Sequence, residues 1–193
     1  MQKELLNQAV QMFDSSDKWN SFLELSSSKD EIRNHWYQTL KTHITKRFWE
    51  EDKVNGWSLE AFGSWDYRWY LTEFGRDSFC INMNQNRIGL WVNPNFFISQ
   101  RITELLKTEN YSSIMATLRP DEGFNGEWWK LSEFGNFEFE SPYDGHFDLD
   151  RLGWFAGNKT EELVNQLSEK INRFRKDETI MKLFAELNRE AKK

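Results

Sequence analysis

The side chains best suited to chemistry in this chain are the acidic residues and the histidine of one predicted β-hairpin. Two alternating runs flank the turn residues 141–145, and pairing Glu140 with His146 gathers the polar residues on one face. Like charges that lie opposite each other on a sheet are unfavourable, so a positive group should lie nearby. The residues of this predicted acidic face are Glu138, Glu140, His146, Asp148 and Asp150.

Three sources could supply that positive charge: a divalent cation, basic side chains of this chain such as Arg151 and Arg173, or a basic partner. Carboxylate oxygens suit Mg²⁺, Ca²⁺ or Mn²⁺, and a histidine suits transition metals. The metal alternative would use Glu138, His146 and Asp148. It would make the protein a metal-dependent hydrolase or nuclease.

A second carboxylate set lies earlier in the chain, at Asp121 and Glu127. The order Pro120-Asp121 followed by Glu127 resembles the metal-binding pattern of the PD-(D/E)xK nucleases, in which a lysine follows two residues after the second acid. Here Lys130 follows Glu127 by three residues, so on a regular strand the two side chains would point to opposite faces. We therefore assign the chain to no family, and keep Asp121 and Glu127 as an alternative metal pair.

The acidity of the chain is concentrated in one segment. Residues 121–150 hold nine acidic and one basic side chain, a net charge of −8, whereas the whole chain carries −6. The same segment is rich in aromatic residues, unlike a disordered acidic tail. A surface that is both acidic and aromatic can occupy a basic groove of another protein, with the aromatic side chains as anchors. We expect Trp128, Trp129 and Tyr143 to join the acidic hairpin in that contact surface.

Other function classes lack their usual sequence signals. The three histidines accompany no recognisable nucleophile, and the chain contains neither a Walker phosphate loop nor a dinucleotide-binding glycine motif. A lone cysteine, Cys80, can form neither an intramolecular disulfide nor a paired-cysteine zinc site. Direct nucleic-acid binding would require a stronger basic patch. No run is long enough to span a membrane and no signal peptide is evident. We expect a cytoplasmic protein without a cofactor.

The elements that position these residues begin with helices. Residues 1–52 show helical spacing of apolar residues, and Ser28 with Glu31 forms a capping-box pattern. An apolar residue then recurs every four positions from Ile32 to Phe48, which predicts a long helix whose stripe crosses its partner obliquely. A homodimer formed through the helices from residues 2 to 49 is the alternative use of this stripe.

From residue 57 the apolar period changes to two, which indicates strands. One antiparallel register pairs Met83 with Ile88, Ile81 with Leu90 and Phe79 with Val92, and puts all six side chains on one face. The Asn93-Pro94 pair then predicts a helix entry, and a connecting strand is expected over residues 111–118.

The chain also nearly repeats itself. Residues 69–75 read WYLTEFG and residues 129–135 read WKLSEFG, and each copy is followed by a Gly and Trp cluster and a helical pattern. This order predicts one unit used twice, over about 57–108 and 111–176, with Asn158 opening the second helix and Asp177 capping a final one. The expected fold is α+β: a helical region of residues 1–52 packed on a mainly antiparallel body of residues 53–193.

These observations favour a binding function over catalysis. We expect a non-catalytic, intracellular protein-binding or regulatory module that uses the acidic, aromatic surface, for example as an inhibitor that occupies a basic or nucleic-acid-binding groove. The alternatives are the metal-dependent hydrolase or nuclease and a structural homo-oligomer.

Overall fold

A computed structural model of the chain describes residues 2–63, 66–84, 87–118, 127–131 and 149–193. Three helices come first: α1 (Gln2–Met12), α2 (Ser16–Ser27) and α3 (Lys29–Asn55). Four strands follow: β1 (Trp57–Phe62), β2 (Asp66–Leu71), β3 (Cys80–Asn84) and β4 (Arg87–Trp91). The remaining elements are α4 (Ser99–Leu106), a 3₁₀ turn (Glu109–Tyr111), α5 (Ser112–Met115), β5 (Trp128–Lys130), α6 (Leu149–Asn158), α7 (Thr160–Arg175) and α8 (Glu178–Ala191).

The five strands form one antiparallel sheet in the order β1-β2-β3-β4-β5. Helices and an antiparallel sheet in one body confirm the α+β class. The predicted register is confirmed where β3 meets β4, since Met83 pairs with Ile88 and Ile81 with Leu90. Only two residues separate β3 from β4, which leaves few registers, and only this one puts every apolar side chain on the core face.

Helix α3 begins at Lys29, directly after Ser28, as the capping-box pattern predicts. The Ser28 side chain makes no capping hydrogen bond, however; its backbone N–H donates to the Glu24 carbonyl, so α2 runs almost directly into α3. Leu40, Ile44 and Phe48 are fully buried, whereas Ile32 is exposed. The four-residue stripe therefore enters the core from Trp36, which is partly buried, onward, and the helix contacts β1, α6 and α7.

One core lies between the sheet and these helices. Aromatic rings fill it in edge-on pairs: the Phe48 and Trp69 centroids are 5.0 Å apart, and those of Trp57 and Phe184 are 5.6 Å apart. Asn188 links helix α8 by hydrogen bonds to Phe79, the residue directly before β3. Its Oδ1 accepts from the Phe79 N–H at 2.7 Å, and its Nδ2 donates to the Phe79 carbonyl at 3.2 Å.

Two local predictions between β4 and β5 are wrong. Residues 111–118 form the end of the 3₁₀ turn and α5 rather than a strand, and only Leu118 makes an isolated bridge, to Leu131. The helix predicted at Asn93-Pro94 begins later, at Ser99. Asn93 instead closes a turn, accepting from the Asn95 N–H at 3.0 Å, because asparagine stabilises turns as readily as helix starts.

The duplicated unit is not confirmed. Gly89 and Trp91 lie on β4, but their counterparts Gly153 and Trp154 lie in α6, a helix that the repeat does not predict. A side chain at Gly153 would meet Arg33 of α3 at 2.9 Å, so the glycine lets the two helices approach closely. Helix α7 begins at Thr160 with Lys159 as its cap, not at Asn158. The Asp177 cap of α8 is confirmed, since its carboxylate accepts from two backbone N–H groups.

Candidate binding site on the sheet

The two faces of the sheet differ in chemistry because side chains alternate along each strand. On β2, Tyr67, Trp69 and Leu71 are buried and face the core. The residues between them belong to the other face. There Asp66 lies opposite Asn84 of β3, and Arg68 lies opposite Asn82. The face turned away from the core is therefore polar at its centre.

This polar face contains a cavity of about 580 Å³, which we call the sheet trough. Its lining comes from four neighbouring strands and from the residue that precedes β5. The lining residues are Asp66, Arg68, Asn82, Asn84, Arg87, Trp91, Glu127 and Trp128. The trough thus combines two guanidinium groups, two carboxylates, two amides and two indoles.

Arg68 is held in the trough by rings and carboxylates together. Its guanidinium carbon lies 3.8 Å from the Trp91 ring centroid and 4.2 Å from that of Phe62. Its terminal nitrogens lie 3.4 Å from Asp66 Oδ2 and 3.8 Å from Asp77 Oδ1. A planar cation between two ring faces is a favourable arrangement. Arg68 is therefore a fixed part of the trough wall.

The carboxylates beside Arg68 are positioned in turn by amides. Asn82 is almost completely buried, and its Nδ2 donates both to Asp66 Oδ1 and to the Tyr67 carbonyl. Asp77 Oδ1 accepts from Asn93 Nδ2 at 2.9 Å. Because these donors satisfy oxygen atoms that are partly or fully buried, the polar network is built into the fold and does not depend on a ligand.

Trp128 lies flat on the sheet because the residue beneath it is glycine. A Cβ atom at Gly89 would fall 2.5 Å from Trp128 Cε2 and 2.6 Å from Cζ2. Trp91 is the direct cross-strand neighbour of Trp128. Both indoles are half-buried, so each presents part of its surface to the trough. Aromatic surface fixed on a sheet can stack against a ligand or a partner side chain.

The two ends of the trough carry opposite charges. Arg87 begins β4, whereas the Glu127 carbonyl accepts from the Val92 N–H just after β4 ends. Five residues of strand separate these positions, or about 16 Å. Both side chains are exposed, and neither forms an ion pair within the described part of the chain. Arg87 and Glu127 are therefore available to bind groups of opposite charge.

The structure describes only part of the sequence-predicted site. Glu127 and Trp128 line the trough, whereas Trp129 is fully buried, 5.5 Å from the Phe79 ring, and belongs to the core. Five of the predicted binding residues and one alternative metal ligand lie outside the described residues. These are Glu138, Glu140, Tyr143, His146 and Asp148, and the alternative ligand Asp121.

Asp150 requires a correction. The hairpin prediction continues its second strand to this residue, but Asp150 lies in the first turn of α6. The helix forms because Leu152, Phe155 and Ala156 recur at helical spacing and are buried. The alternation of polar and apolar residue types over residues 146–150 does not exclude a helix start, because the helically spaced apolar residues begin only at Leu152.

The trough residues on β2, β3 and β4 are not apparent as a site from the sequence. Asp66 and Arg68 have the alternation of a solvated strand face, which is the usual meaning of that pattern. Gly89 is the available signal, because an isolated glycine inside a strand often marks a close approach of another group. What the sequence does not show is that Trp128, about forty residues later, makes this approach.

The described residues contain no arrangement of side chains suited to metal binding or to thiol chemistry. No three histidine, cysteine, aspartate or glutamate side chains come together there as a metal site. His43 Nδ1 lies 2.7 Å from Glu161 Oε1, which links α3 to α7. Burial raises the pKa of the Cys80 thiol far above its ordinary value, so the reactive thiolate is disfavoured.

Comparison of the chain with protein-family models, with curated proteins and with solved structures finds no match. Among the described helices, none has both the length and the apolar character needed to cross a membrane. What can be inferred about function therefore depends on the fold and on the sheet trough.

Proposed function

We propose that this protein is a non-catalytic, cytoplasmic protein-binding or regulatory module whose sheet trough contacts the partner. The observation that carries the proposal is the pair of half-buried indoles, Trp91 and Trp128, between the exposed charges of Arg87 and Glu127. Tryptophan and arginine are among the residues most enriched at interface hot spots. A rigid sheet that already holds them spares part of the ordering cost of binding.

An extended segment of a partner protein fits the dimensions of the trough. About five extended residues would span the 16 Å or so from Arg87 to Glu127. A partner carboxylate would pair with Arg87, and a partner lysine or arginine would lie between Glu127 and the Trp128 ring. The trough therefore favours a segment whose two ends carry opposite charges.

The acidic stretch strengthens the preference for a basic partner. Residues 121–150 carry a net charge of −8 and include Glu127 and Trp128 of the trough. Concentrated negative charge speeds association with a basic surface and rejects acidic ones. Such a module would act as a regulator by occupying a basic surface of its partner, including one that otherwise binds nucleic acid.

A displayed library of random peptides tests the proposal, because selection from it does not require the partner to be identified. The full-length protein serves as the target, and selected peptides are measured again on Glu127→Gln and Trp128→Ala. Matched controls are Glu169→Gln and Trp154→Ala, since both positions are exposed on helices outside the trough. We expect selected peptides to be rich in lysine or arginine and to lose about tenfold or more in affinity on each trough variant.

Two results would contradict the proposal. One is a selection that enriches no peptides over several rounds. The other is a set of peptides that bind the trough variants as tightly as the parent protein, because the contact surface would then lie elsewhere. Peptide affinity should also fall at high salt, since the Glu127 contribution is electrostatic.

A further inference from the structure

The first two helices leave their apolar side chains outside the core. None of the described side chains of α1 is buried, and the same holds for α2. Leu6 is 63 % exposed and Val10 is 65 % exposed, while Trp19, Phe22 and Leu23 are each 42–47 % exposed. Single exposed apolar residues are ordinary, but a continuous group of them marks an interaction surface.

These side chains form one continuous surface because three rings join the helices. The Phe13 centroid is 5.2 Å from that of Trp19 and 4.8 Å from that of Phe22. Leu6 and Val10 lie on one side of α1, since they are four residues apart. Phe13 follows directly after the end of α1, and its N–H donates to the Val10 carbonyl. We call this surface the apolar arm face; its residues are Leu6, Val10, Phe13, Trp19, Phe22 and Leu23.

We propose that the apolar arm face binds the same face of a second copy of this chain, forming a homodimer. The two helical pairs would pack as a four-helix arrangement about a two-fold axis, in which each copy presents the same residues to the other. The trough lies on the sheet, so this proposal does not depend on the proposed function.

The available area matches what a stable dimer needs. With about 150–250 Å² for each large apolar side chain when fully exposed, the arm face offers roughly 500 Å² of apolar surface per copy. Two copies would then bury roughly 1,000 Å² of apolar area. Because interfaces are about 60 % apolar, the total interface would be roughly 1,600 Å². That value is the standard size of a specific protein–protein interface.

Residues 2–27, which we call the arm, carry the apolar arm face, and their net charge favours a second copy over a membrane surface as its partner. Residues 2–27 contain four acidic and two basic side chains, so the arm carries a net charge of −2. Helices that lie on membranes are usually rich in lysine and arginine on their polar face. Lys18 is also already paired with Asp14 at 2.7 Å. An anionic lipid surface, which carries many negative charges, would therefore repel the arm. A second copy brings only the same net charge of −2, and salt screens the repulsion between such exposed charges.

Analytical ultracentrifugation of the full-length protein over a wide concentration range tests the dimer. We expect the parent to show a monomer–dimer equilibrium, and Trp19→Gln/Phe22→Gln to weaken the dimer by about a hundredfold. The matched control is Trp154→Gln/Phe96→Gln, which replaces one exposed tryptophan and one exposed phenylalanine outside the arm. The control pair should leave the dimer dissociation constant unchanged.

Folding of each variant is checked by circular dichroism and by urea unfolding at a concentration below the dimer dissociation constant. Both should match the parent there, because neither arm position is buried. A parent that remains monomeric at the highest concentration would overturn the proposal, as would equal weakening by the arm pair and the control pair. Binding of the parent to phosphatidylserine vesicles with no dimer in solution would also overturn it and would assign the arm to a membrane surface.

Discussion

Replacing Gly89 with alanine would place a methyl group where the Trp128 indole now lies. The added Cβ would be 2.5 Å from Trp128 Cε2 and 2.7 Å from the Trp129 carbonyl oxygen. Carbon atoms in contact are normally about 3.5–4.0 Å apart, so the ring would have to move by about 1 Å. The carbonyl is a backbone atom, and it moves only if β5 shifts relative to β4.

Two opposing effects determine the size of the change. Forcing an extra methyl group into a filled space destabilises a fold by about 1–3 kcal/mol. Alanine is favoured over glycine in a strand by about 0.5–1 kcal/mol. We therefore expect Gly89→Ala to lower the free energy of unfolding by about 1–2 kcal/mol. The selected peptides should also bind more weakly, since the indole would leave its place in the trough.

Urea unfolding followed by far-ultraviolet circular dichroism measures this effect, and a double-mutant cycle isolates its cause. In a Trp128→Ala background the ring is absent, so Gly89→Ala should destabilise the protein by about 1 kcal/mol less than in the parent. The destabilisation that remains in this background comes from the contact of the new Cβ atom with the Trp129 carbonyl oxygen. An equal loss of stability in both backgrounds would refute the reasoning, because the indole would then not occupy the space above Gly89.

Three further predictions concern buried polar groups. Asn188→Ala removes both hydrogen bonds to the Phe79 backbone and leaves a buried N–H without its acceptor. Urea unfolding should therefore show a free energy of unfolding that is lower by about 2–4 kcal/mol. A decrease of less than about 1 kcal/mol would contradict this. Because burial raises the pKa of the Cys80 thiol, a thiol reagent followed by absorbance should label the unfolded protein and spare the native one. Burial also raises the pKa of Tyr67 above its ordinary value of 10.0, so the unfolded chain ionises first and stability should fall as pH rises above about 10. The urea midpoint of Tyr67→Phe should fall less steeply over that range, and an equal fall would show that another group is responsible.

The central strands are predictable because their pattern is local and strict. Tyr67, Trp69 and Leu71 alternate with polar residues. The short separation of β3 and β4 in the chain leaves one register that buries the apolar residues of both strands. The Asp177 cap is predictable for the same reason, since a capping side chain reaches only two or three residues along its own helix.

The region after β4 is less predictable because its signals have two meanings. Asn93 fits both a helix cap and a turn, and the 3₁₀ turn and α5 occupy a segment whose pattern predicts a strand. The similarity of residues 69–75 to residues 129–135 does not by itself fix where the two segments lie in the sheet. Trp69 lies on a central strand, whereas Trp129 lies on β5 at the end of the described strand order.

The sequence by itself determined the fold class, the core face of β2 to β4 and the pairing of Met83 with Ile88. Only the tertiary structure decided where the candidate site lies, because the trough depends on β5 pairing with β4. That pairing joins residues about forty positions apart, and it brings Trp128 over Gly89 and Glu127 to the far end from Arg87. No local periodicity encodes such a contact, since it is selected by the packing of the whole sheet against its helices.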